Sequence, residues 1–270
     1  MALGDITLPF GMRQNLISLQ LVSALQARTT ERLATGKRVN SAVDDPTAYF
    51  TAQNHLARAN QLAGLKDSMG EAVQTVNAAS EGVDGITTLI EQAKGLAASA
   101  RGGSASERSS LAAQFDDLMT QIDQLAGDSS YKGTNLLGSD SLTVQFNEDN
   151  SSNLTITGFD ASSSGLGIGA AANDWVDDTD IDAAISDLDS AQTTLRSNSS
   201  TLASNLSVVS TRQDFTTNLI ATLETGAENL TLADMNEESA NMLALQTRQQ
   251  LGISALSIAS QTQQSVLSLF

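Results

Sequence analysis

The chain has 270 residues, of which 31 are acidic and 14 basic, so its net charge is −17 with histidine neutral. A protein this acidic is not expected to bind nucleic acid, because the dominant interaction with the phosphates would be repulsive. The absence of cysteine excludes disulfides, thiolate metal sites and cysteine nucleophiles. With only 4% aromatic residues and 2 prolines, the composition favours long helices around a thin core.

The charge is concentrated in the middle of the sequence. Residues 1–40 contain five basic and two acidic side chains, residues 41–230 contain eight and 26, and residues 231–270 contain one and three. Between Ser239 and Phe270 the only charged side chain is Arg248. A segment with so few charges is not expected on the surface of an isolated soluble protein.

The N-terminal sequence lacks the basic start and apolar stretch of a secretory signal. No apolar run reaches the roughly 18 residues of a membrane span. We therefore expect no membrane insertion, and a protein that is either cytoplasmic or exported without a cleaved signal.

The N-terminal end is predicted to be a helix that is apolar on several faces, since the apolar residues between Leu16 and Leu25 point all round a helix. The C-terminal end has two apolar stripes: Leu256, Ala259, Val266 and Phe270 form one, and Leu251, Ala255, Ile258 and Leu269 the other. A helix that is apolar on several faces must be buried on several faces, and one partner helix covers only one of them. The pattern predicts that other copies of the chain cover the rest.

Between these ends the apolar residues follow a helical repeat. Residues 62–100 alternate apolar spacings of three and four, which predicts a long coiled-coil helix that ends at Gly102-Gly103, and a further helix follows. A second register of the same kind runs over residues 185–230. The two long helices are expected to pack side by side in an elongated bundle.

The period changes to two between the helical regions. Leu142, Val144 and Phe146 alternate with polar residues, as do Leu154 and Ile156, and turn residues separate the two runs. This pattern predicts a β-hairpin at about residues 141–160. The acidic cluster of residues 174–189 that follows a Ser/Gly/Ala-rich loop is interpreted as the start of the second long helix, since acidic residues there complement the helix dipole. The alternative is a weak divalent-cation site, because Asp178, Asp180 and Asp182 have the spacing of a calcium loop, although Ala183 stands where its turn needs glycine.

The sequence offers no site for catalysis. The only histidine, His55, lies on a predicted helix, so a histidine-dependent nucleophile could be built only around it. The glycines of residues 165–169 lack the flanking strand and helix of a phosphate loop. We predict a non-enzymatic protein without a cofactor or catalytic metal.

Four segments resemble those of bacterial flagellins. RLATGKRVNSAVDDP (32–46) is similar to the family's RLSSGxRINSAxDD, and DSSYKGTNLL (128–137) to its FNGxxLL, with Tyr131 and Lys132 replacing the usual Phe and Asn. DMNEESANMLALQTRQQ (234–250) resembles DxAxExxxLxxxQxxxQ, and residues 251–270 resemble the flagellin C-terminus. The order and spacing of the four make the resemblance specific.

The resemblance implies a mainly α fold in which the N- and C-terminal helices pair and a helical rod domain carries one small β-hairpin. The implied domains are residues 1–44 and 233–270, the two halves of a terminal coiled coil, and residues 45–232, a rod domain without outer domains. A homopolymer of many copies would form the extracellular flagellar filament for swimming motility. The assembly residues would be apolar side chains of both ends: Leu16, Leu19, Leu25, Leu251, Leu256, Ile258, Val266, Leu269 and Phe270.

The resemblance also implies partners and further functional residues. Export would use the flagellar type III apparatus and an export chaperone, and assembly would involve cap and hook-associated proteins. Charge-assisted contacts where the terminal and rod domains meet would involve Arg32, Lys37, Arg38, Asp44 and Asp45.

In many flagellins a basic segment of the first rod helix is recognised by an innate immune receptor. The aligned residues here include Glu91, Gln92, Lys94 and Leu96, of which only Lys94 and Leu96 keep the family's pattern. We expect poor recognition by that receptor.

Two alternatives to the filament subunit remain open at this point. A hook–filament junction protein shares the terminal architecture and differs in being present in few copies. A secreted coiled-coil protein that binds metal or acts on a substrate would need a site that the sequence does not reveal.

Overall fold

Five α-helices and one two-stranded sheet make up the residues described by the computed structural model, which are residues 10–267, with side chains up to residue 265. The elements in chain order are α1 (Phe10–Thr35), α2 (Pro46–Ala100), α3 (Ala105–Asp128), β1 (Ser141–Gln145), β2 (Asn153–Thr157), α4 (Asp178–Thr231) and α5 (Met235–Leu267). The prediction of a mainly α fold with one small hairpin is confirmed.

The chain divides into two compact units. The first comprises Met1–Arg58 with Thr222–Phe270, and the second comprises Ala59–Ala221. Both long helices, α2 and α4, contribute residues to each unit. In the first unit α1 packs along α5, so the predicted pairing of the two terminal helices is also confirmed.

The core of the second unit is built on the heptad of α2. Of the twelve positions predicted over residues 62–100, all are buried except Leu65, which is half-buried. They pack with Phe115 and Ile122 of α3 and with Leu188 and Leu195 of α4. The repeat predicted for residues 185–230 of α4 behaves in the same way. Every one of its positions is buried or half-buried, so these residues form the inner side of α4.

The β-hairpin has the predicted pairing of two alternating strands. β1 and β2 are antiparallel, and Leu142 pairs with Ile156 and Val144 with Leu154. The side chains of Val144 and Ile156 are buried in the core, whereas Thr143 and Thr155 lie opposite each other on the exposed face. One face of the hairpin therefore covers the helices, as the period of two requires.

The side chain of Asn135, in the connection between α3 and β1, holds the end of α3 in place. The amide of Asn135 donates to the carbonyl oxygens of Ala126 and Gly127 at the end of α3, and its oxygen accepts from the Leu137 N–H. Leu136 and Leu137 are fully buried beside it. The segment that resembles FNGxxLL thus anchors the connection between α3 and the hairpin.

Candidate assembly surface

α1 and α5 pack antiparallel through one seam on each helix. The buried and half-buried positions of α5 recur at spacings of three and four, the repeat of a coiled coil. They are Glu238, Met242, Leu245, Gln249, Gly252, Leu256, Ala259 and Gln263. The corresponding positions of α1 are Met12, Asn15, Leu19, Val22, Gln26, Thr29, Arg32 and Leu33.

This α1–α5 seam is unusually polar for a coiled coil. Asn15, Gln26, Thr29 and Arg32 occupy seam positions of α1 in place of apolar residues. Polar seam residues specify register while reducing stability. Apolar side chains that would ordinarily fill the seam lie instead on the outer faces of both helices.

Large apolar side chains remain exposed along both helices of the pair. On α5 the exposed fraction is 66% for Leu243 and 65% for both Leu251 and Ile258. The exposed set on α1 is Phe10, Leu16, Ile17, Leu21 and Leu25, and on α5 it is Met235, Leu243, Leu251, Ile253 and Ile258. We call these ten side chains the exposed apolar set. Apolar surface of this extent is typical of an interaction site.

The predicted assembly residues divide between the seam and the exposed apolar set. Leu16, Leu25, Leu251 and Ile258 belong to the exposed apolar set. Leu19 and Leu256 are half-buried in the seam, where they face the partner helix of the same chain. Leu269 and Phe270 lie outside the described residues, as does the side chain of Val266.

Six members of the set were not among the predicted assembly residues: Phe10, Ile17, Leu21, Met235, Leu243 and Ile253. The all-round apolar pattern between Leu16 and Leu25 already indicated that this part of α1 has no single apolar face. The pattern could not identify which face α5 covers, because that depends on the register of the pair.

The connection between α1 and α2 holds most of the predicted polar residues. It runs antiparallel to the end of α4: the N–H groups of Arg38 and Val39 donate to the Thr231 carbonyl oxygen, and the Ala233 N–H donates to that of Gly36. Lys37 forms a β-bridge with Leu232, and the Arg38 guanidinium donates to the Leu230 carbonyl oxygen at 3.3 Å. Lys37 and Arg38 therefore take part in backbone pairing, and Arg38 also contributes through its side chain.

Two carboxylates order the same connection. Asp44 Oδ2 accepts from the backbone N–H groups of Ser41 and Asn40, which lower the pKa of its carboxyl, and Arg28 lies 3.6 Å from its other oxygen. Asp45 Oδ1 accepts from the Ala48 N–H at 3.0 Å, which caps the start of α2.

Arg32 has a partner that the sequence did not identify. Its Nη1 lies 2.7 Å from Oε1 of Glu238, and the Glu238 side chain is only 8% exposed. All these contacts of the five predicted polar residues lie within the first unit.

The segment aligned with the immune-receptor site lies on α2 in the second unit. Lys94 forms an ion pair with Asp189 of α4, and Glu91 accepts a hydrogen bond from the Gln192 amide at 3.4 Å. Gln92 and Leu96 line a shallow groove with Leu118 of α3. The one basic group of the segment is thus already engaged by a carboxylate.

The second unit has a strongly negative surface. Residues 59–221 contain 22 acidic and seven basic side chains, so this unit contributes −15 of the net charge and the first unit −2. Four of the seven bases pair with carboxylates of the same unit: Lys94 with Asp189, Arg101 with Asp182, Arg108 with Asp178, and Lys132 with Glu71. The acidic cluster of residues 174–189 is accordingly used in part to neutralise bases of α2 and α3.

Residues 10–267 contain neither a group of three or more His, Asp or Glu side chains suited to a metal ion nor a helix long and apolar enough to cross a bilayer.

Comparison with known proteins relates both ends of the chain to one family. The family model for the bacterial flagellin N-terminal helical region matches residues 13–141, and that for the bacterial flagellin C-terminal helical region matches residues 179–270. Flagellin FljM of Caulobacter vibrioides is 32% identical over 277 residues, an alignment that covers 100% of both chains.

Two further matches extend the comparison. A flagellin of Brucella melitensis is 28% identical over 264 residues and 90% of each chain. The crystal structure of Bacillus cereus flagellin superposes with a TM-score of 0.49 at 18% identity, covering 55% of this chain and 88% of that one.

Proposed function

Since the chain belongs to the flagellin family and is a structural subunit of the extracellular bacterial flagellar filament, we propose that its copies pack through the exposed apolar set of α1 and α5. The exposure of these side chains in a pair that is already formed is the observation on which the proposal rests. Neither helix covers the set, so burial requires further chains.

The energy available from this burial is large. Fully burying one side chain of the size of Leu or Ile contributes roughly 1.5–3 kcal/mol. The set includes Leu243, Leu251, Ile253 and Ile258 on α5 alone, all of them more than half exposed. Their combined burial offsets a substantial part of the entropy lost on association.

The distribution of charge supports the same surface. The first unit has a net charge of only −2, whereas the second has −15. Packing of copies through the first unit therefore places little like charge at the contact surface itself.

Truncation of the C-terminal end tests the proposal. Deletion of Leu251–Phe270 removes Leu251, Ile253 and Ile258 and is expected to abolish filaments while leaving a soluble, partly helical monomer. Electron microscopy and circular dichroism measure the two properties. Normal filaments from the truncated chain would contradict the proposal.

A point substitution with a matched control refines the test. Ile258→Ser is expected to raise the critical concentration for assembly by about tenfold or more, since it removes one large apolar side chain from the exposed apolar set. Ser257→Ala alters the adjacent exposed residue and is expected to leave it nearly unchanged. Equal effects of the two substitutions would argue against the assigned surface.

We further propose the partners that the family resemblance implies: the flagellar type III export apparatus, an export chaperone, and cap and hook-associated proteins. A cell that lacks a functional type III apparatus is expected to retain the chain inside. Secretion of the chain by such a cell would contradict this route.

The polar residues and the domain boundaries form a second part of the proposal. The connections at residues 36–45 and 232–234 would separate the terminal domain from the rod domain of residues 45–232. Arg32, Lys37, Arg38, Asp44 and Asp45 would fix the geometry where the two meet. Their hydrogen bonds and ion pairs support this role, since they tie α1, the connection and α5 together.

Poor recognition by the innate immune receptor is proposed from the segment on α2. Glu91 places a negative charge where the family has a basic pattern, and Lys94 is paired with Asp189. A reporter-cell response as strong as that to a typical enteric flagellin would refute the proposal.

A further inference from the structure

The antiparallel α1–α5 pair is fixed at two points within the helices. At one end Arg32 Nη1 lies 2.7 Å from Glu238 Oε1. Towards the other end Leu19 lies against Gly252: a Cβ atom on this glycine would come within 2.8 Å of Leu19 Cδ2. Leu19 and Arg32 are 13 residues apart and Glu238 and Gly252 are 14 apart, so both contacts belong to one register.

Glu238 is an unusual residue for a helix seam. Its side chain is 8% exposed, and its partner Arg32 is 21% exposed, with the Arg32 Nε buried and without a hydrogen-bond partner. A buried charge is tolerated only when its partner is in place. Polar residues of this kind are known to specify the register of coiled coils.

Gly252 is the only glycine at a seam position of α5 among the described residues. The missing side chain allows Leu19 to approach the α5 backbone closely. A side chain in place of Gly252 would displace Leu19 from its present position against α5.

Each contact opposes a slip of the pair in one direction. A slip of one heptad that moved Arg32 opposite Leu245 would bury a guanidinium against an apolar side chain. A slip of one heptad in the opposite direction would move Leu19 opposite Leu245, where the close approach that Gly252 allows is lost. Only the observed register satisfies both contacts.

We propose that Glu238 and Gly252 are positioning residues that select the register of the α1–α5 pair, and that this register decides which apolar side chains face neighbouring copies. A slip of one heptad would displace the exposed side chains of α1 relative to those of α5 by about 10 Å, at about 1.5 Å per residue. The inference rests on the proposed assembly through the exposed apolar set and adds how that set is aligned.

Pairs of cysteines report the register directly, because the chain has none of its own. The observed register places Asn15 opposite Leu256, and the two possible heptad slips place it opposite Gln263 or Gln249. A short bis-maleimide is applied to N15C/L256C, N15C/Q263C and N15C/Q249C, each as a small fraction of copies assembled with unlabelled chain. Dilution restricts cross-linking to pairs within one copy.

In the otherwise unchanged chain only the 15–256 pair is expected to cross-link. The E238Q and G252A substitutions are then added together. E238Q removes the carboxylate that pairs with Arg32 in the observed register, and G252A introduces a Cβ against Leu19. We expect the 15–256 yield to fall by more than half and the 15–263 yield to rise, since the small Ala259 then faces Leu19. The 15–249 yield is expected to stay low.

Matched variants separate register from folding. Glu237→Gln alters the exposed neighbour of Glu238 and is expected to leave cross-linking and filament helical parameters unchanged. L19A with G252A relieves the contact with the new Cβ, and R32E with E238R reverses the ion pair; each variant is expected to give the 15–256 yield of the unaltered chain. Rescue of this kind would not follow if the substitutions simply prevented folding.

Retention of full 15–256 cross-linking and of normal filaments in the E238Q/G252A variant would overturn the proposal. Loss of filaments with unchanged 15–256 cross-linking would also overturn it, while leaving assembly through the exposed apolar set intact. Failure of the proposed function itself would appear differently, as exposed apolar side chains that stay accessible in filaments of the unaltered chain.

Discussion

Trp175 illustrates how one side chain can hold a strained backbone. Asn173, Asp174 and Trp175 all have positive φ angles of 48°, 52° and 55°, the left-handed region that residues with a Cβ avoid. The Trp175 ring is fully buried and packs edge-on against Phe115, with 5.0 Å between the ring centroids. Arg108 fixes the next residue by donating to the Val176 carbonyl oxygen. Burial of the indole thus compensates for the strained turn before α4.

Trp175→Ala is expected to destabilise the folded chain by about 3–5 kcal/mol, the usual effect of removing a large aromatic side chain from a core. The strained turn would lose the packing that keeps it in place. Urea unfolding followed by circular dichroism measures the change. Val176→Ala removes a neighbouring exposed side chain and is expected to change stability by less than about 0.5 kcal/mol. Similar values for the two variants would contradict the assigned role of Trp175.

At the level of elements, one cluster ties α2 to the connection that follows α3. Glu71 Oε2 accepts from the Tyr131 hydroxyl at 3.0 Å and lies 2.7 Å from Lys132 Nζ. The hydrogen bonds from Lys132 and Tyr131 lower the pKa of the Glu71 carboxyl, and Glu71 raises the pKa values of both partners. The two residues that differ from the family's usual Phe and Asn therefore form this contact.

The pKa directions predict how stability depends on pH. Because the pKa of Glu71 is lowered on folding, its stabilising effect is present above about pH 4.5, the usual value, and is lost as pH falls through the lowered pKa. The pKa values of Tyr131 and Lys132 are raised on folding, so their stabilising contributions are present below about pH 10 and are lost as pH rises through the raised values.

Glu71→Gln is expected to reduce the loss of stability below pH 4.5, since the variant has no carboxylate to protonate. Thermal unfolding between pH 3 and 7 measures the difference. Glu81→Gln serves as a control on an exposed glutamate of the same helix for which no ion pair occurs among the described residues. An identical pH dependence of the Glu71→Gln variant and the unaltered chain would refute the prediction.

The sequence predicted those elements whose pattern depends on local periodicity. The heptads of α2 and α4 and the alternation of β1 and β2 were predicted because burial on one side imposes a fixed period. Assignment of the C-terminal stripes was not possible, since Leu256 lies in the seam and Leu251 is exposed although both belong to apolar stripes of one helix. That choice depends on the contacts of Glu238 and Gly252 across more than 200 residues of sequence. The turn of residues 173–175, which has positive φ angles, follows no periodic pattern, so the sequence did not predict it either.

At the scale of the whole molecule, the uneven charge predicts how assembly responds to salt. Neighbouring copies in a filament bring second units of charge −15 near one another. Salt screens this repulsion, with a Debye length that shortens from about 30 Å at 0.01 M to about 10 Å at 0.1 M. The critical concentration measured by sedimentation is therefore expected to fall as NaCl rises over this range. A rise would show that attraction between charged groups of different copies dominates.

The central claim is that the terminal helices are covered by neighbouring copies, and the accessibility of a single cysteine tests it most directly. Ala255 is exposed on the outer face of α5 with Leu251 and Ile258, and A255C adds only one small thiol to a chain that has none. Maleimide is expected to label it rapidly in the monomer and in filaments depolymerised by heat, but hardly at all in intact filaments. Labelling of intact filaments as fast as the monomer would contradict the account.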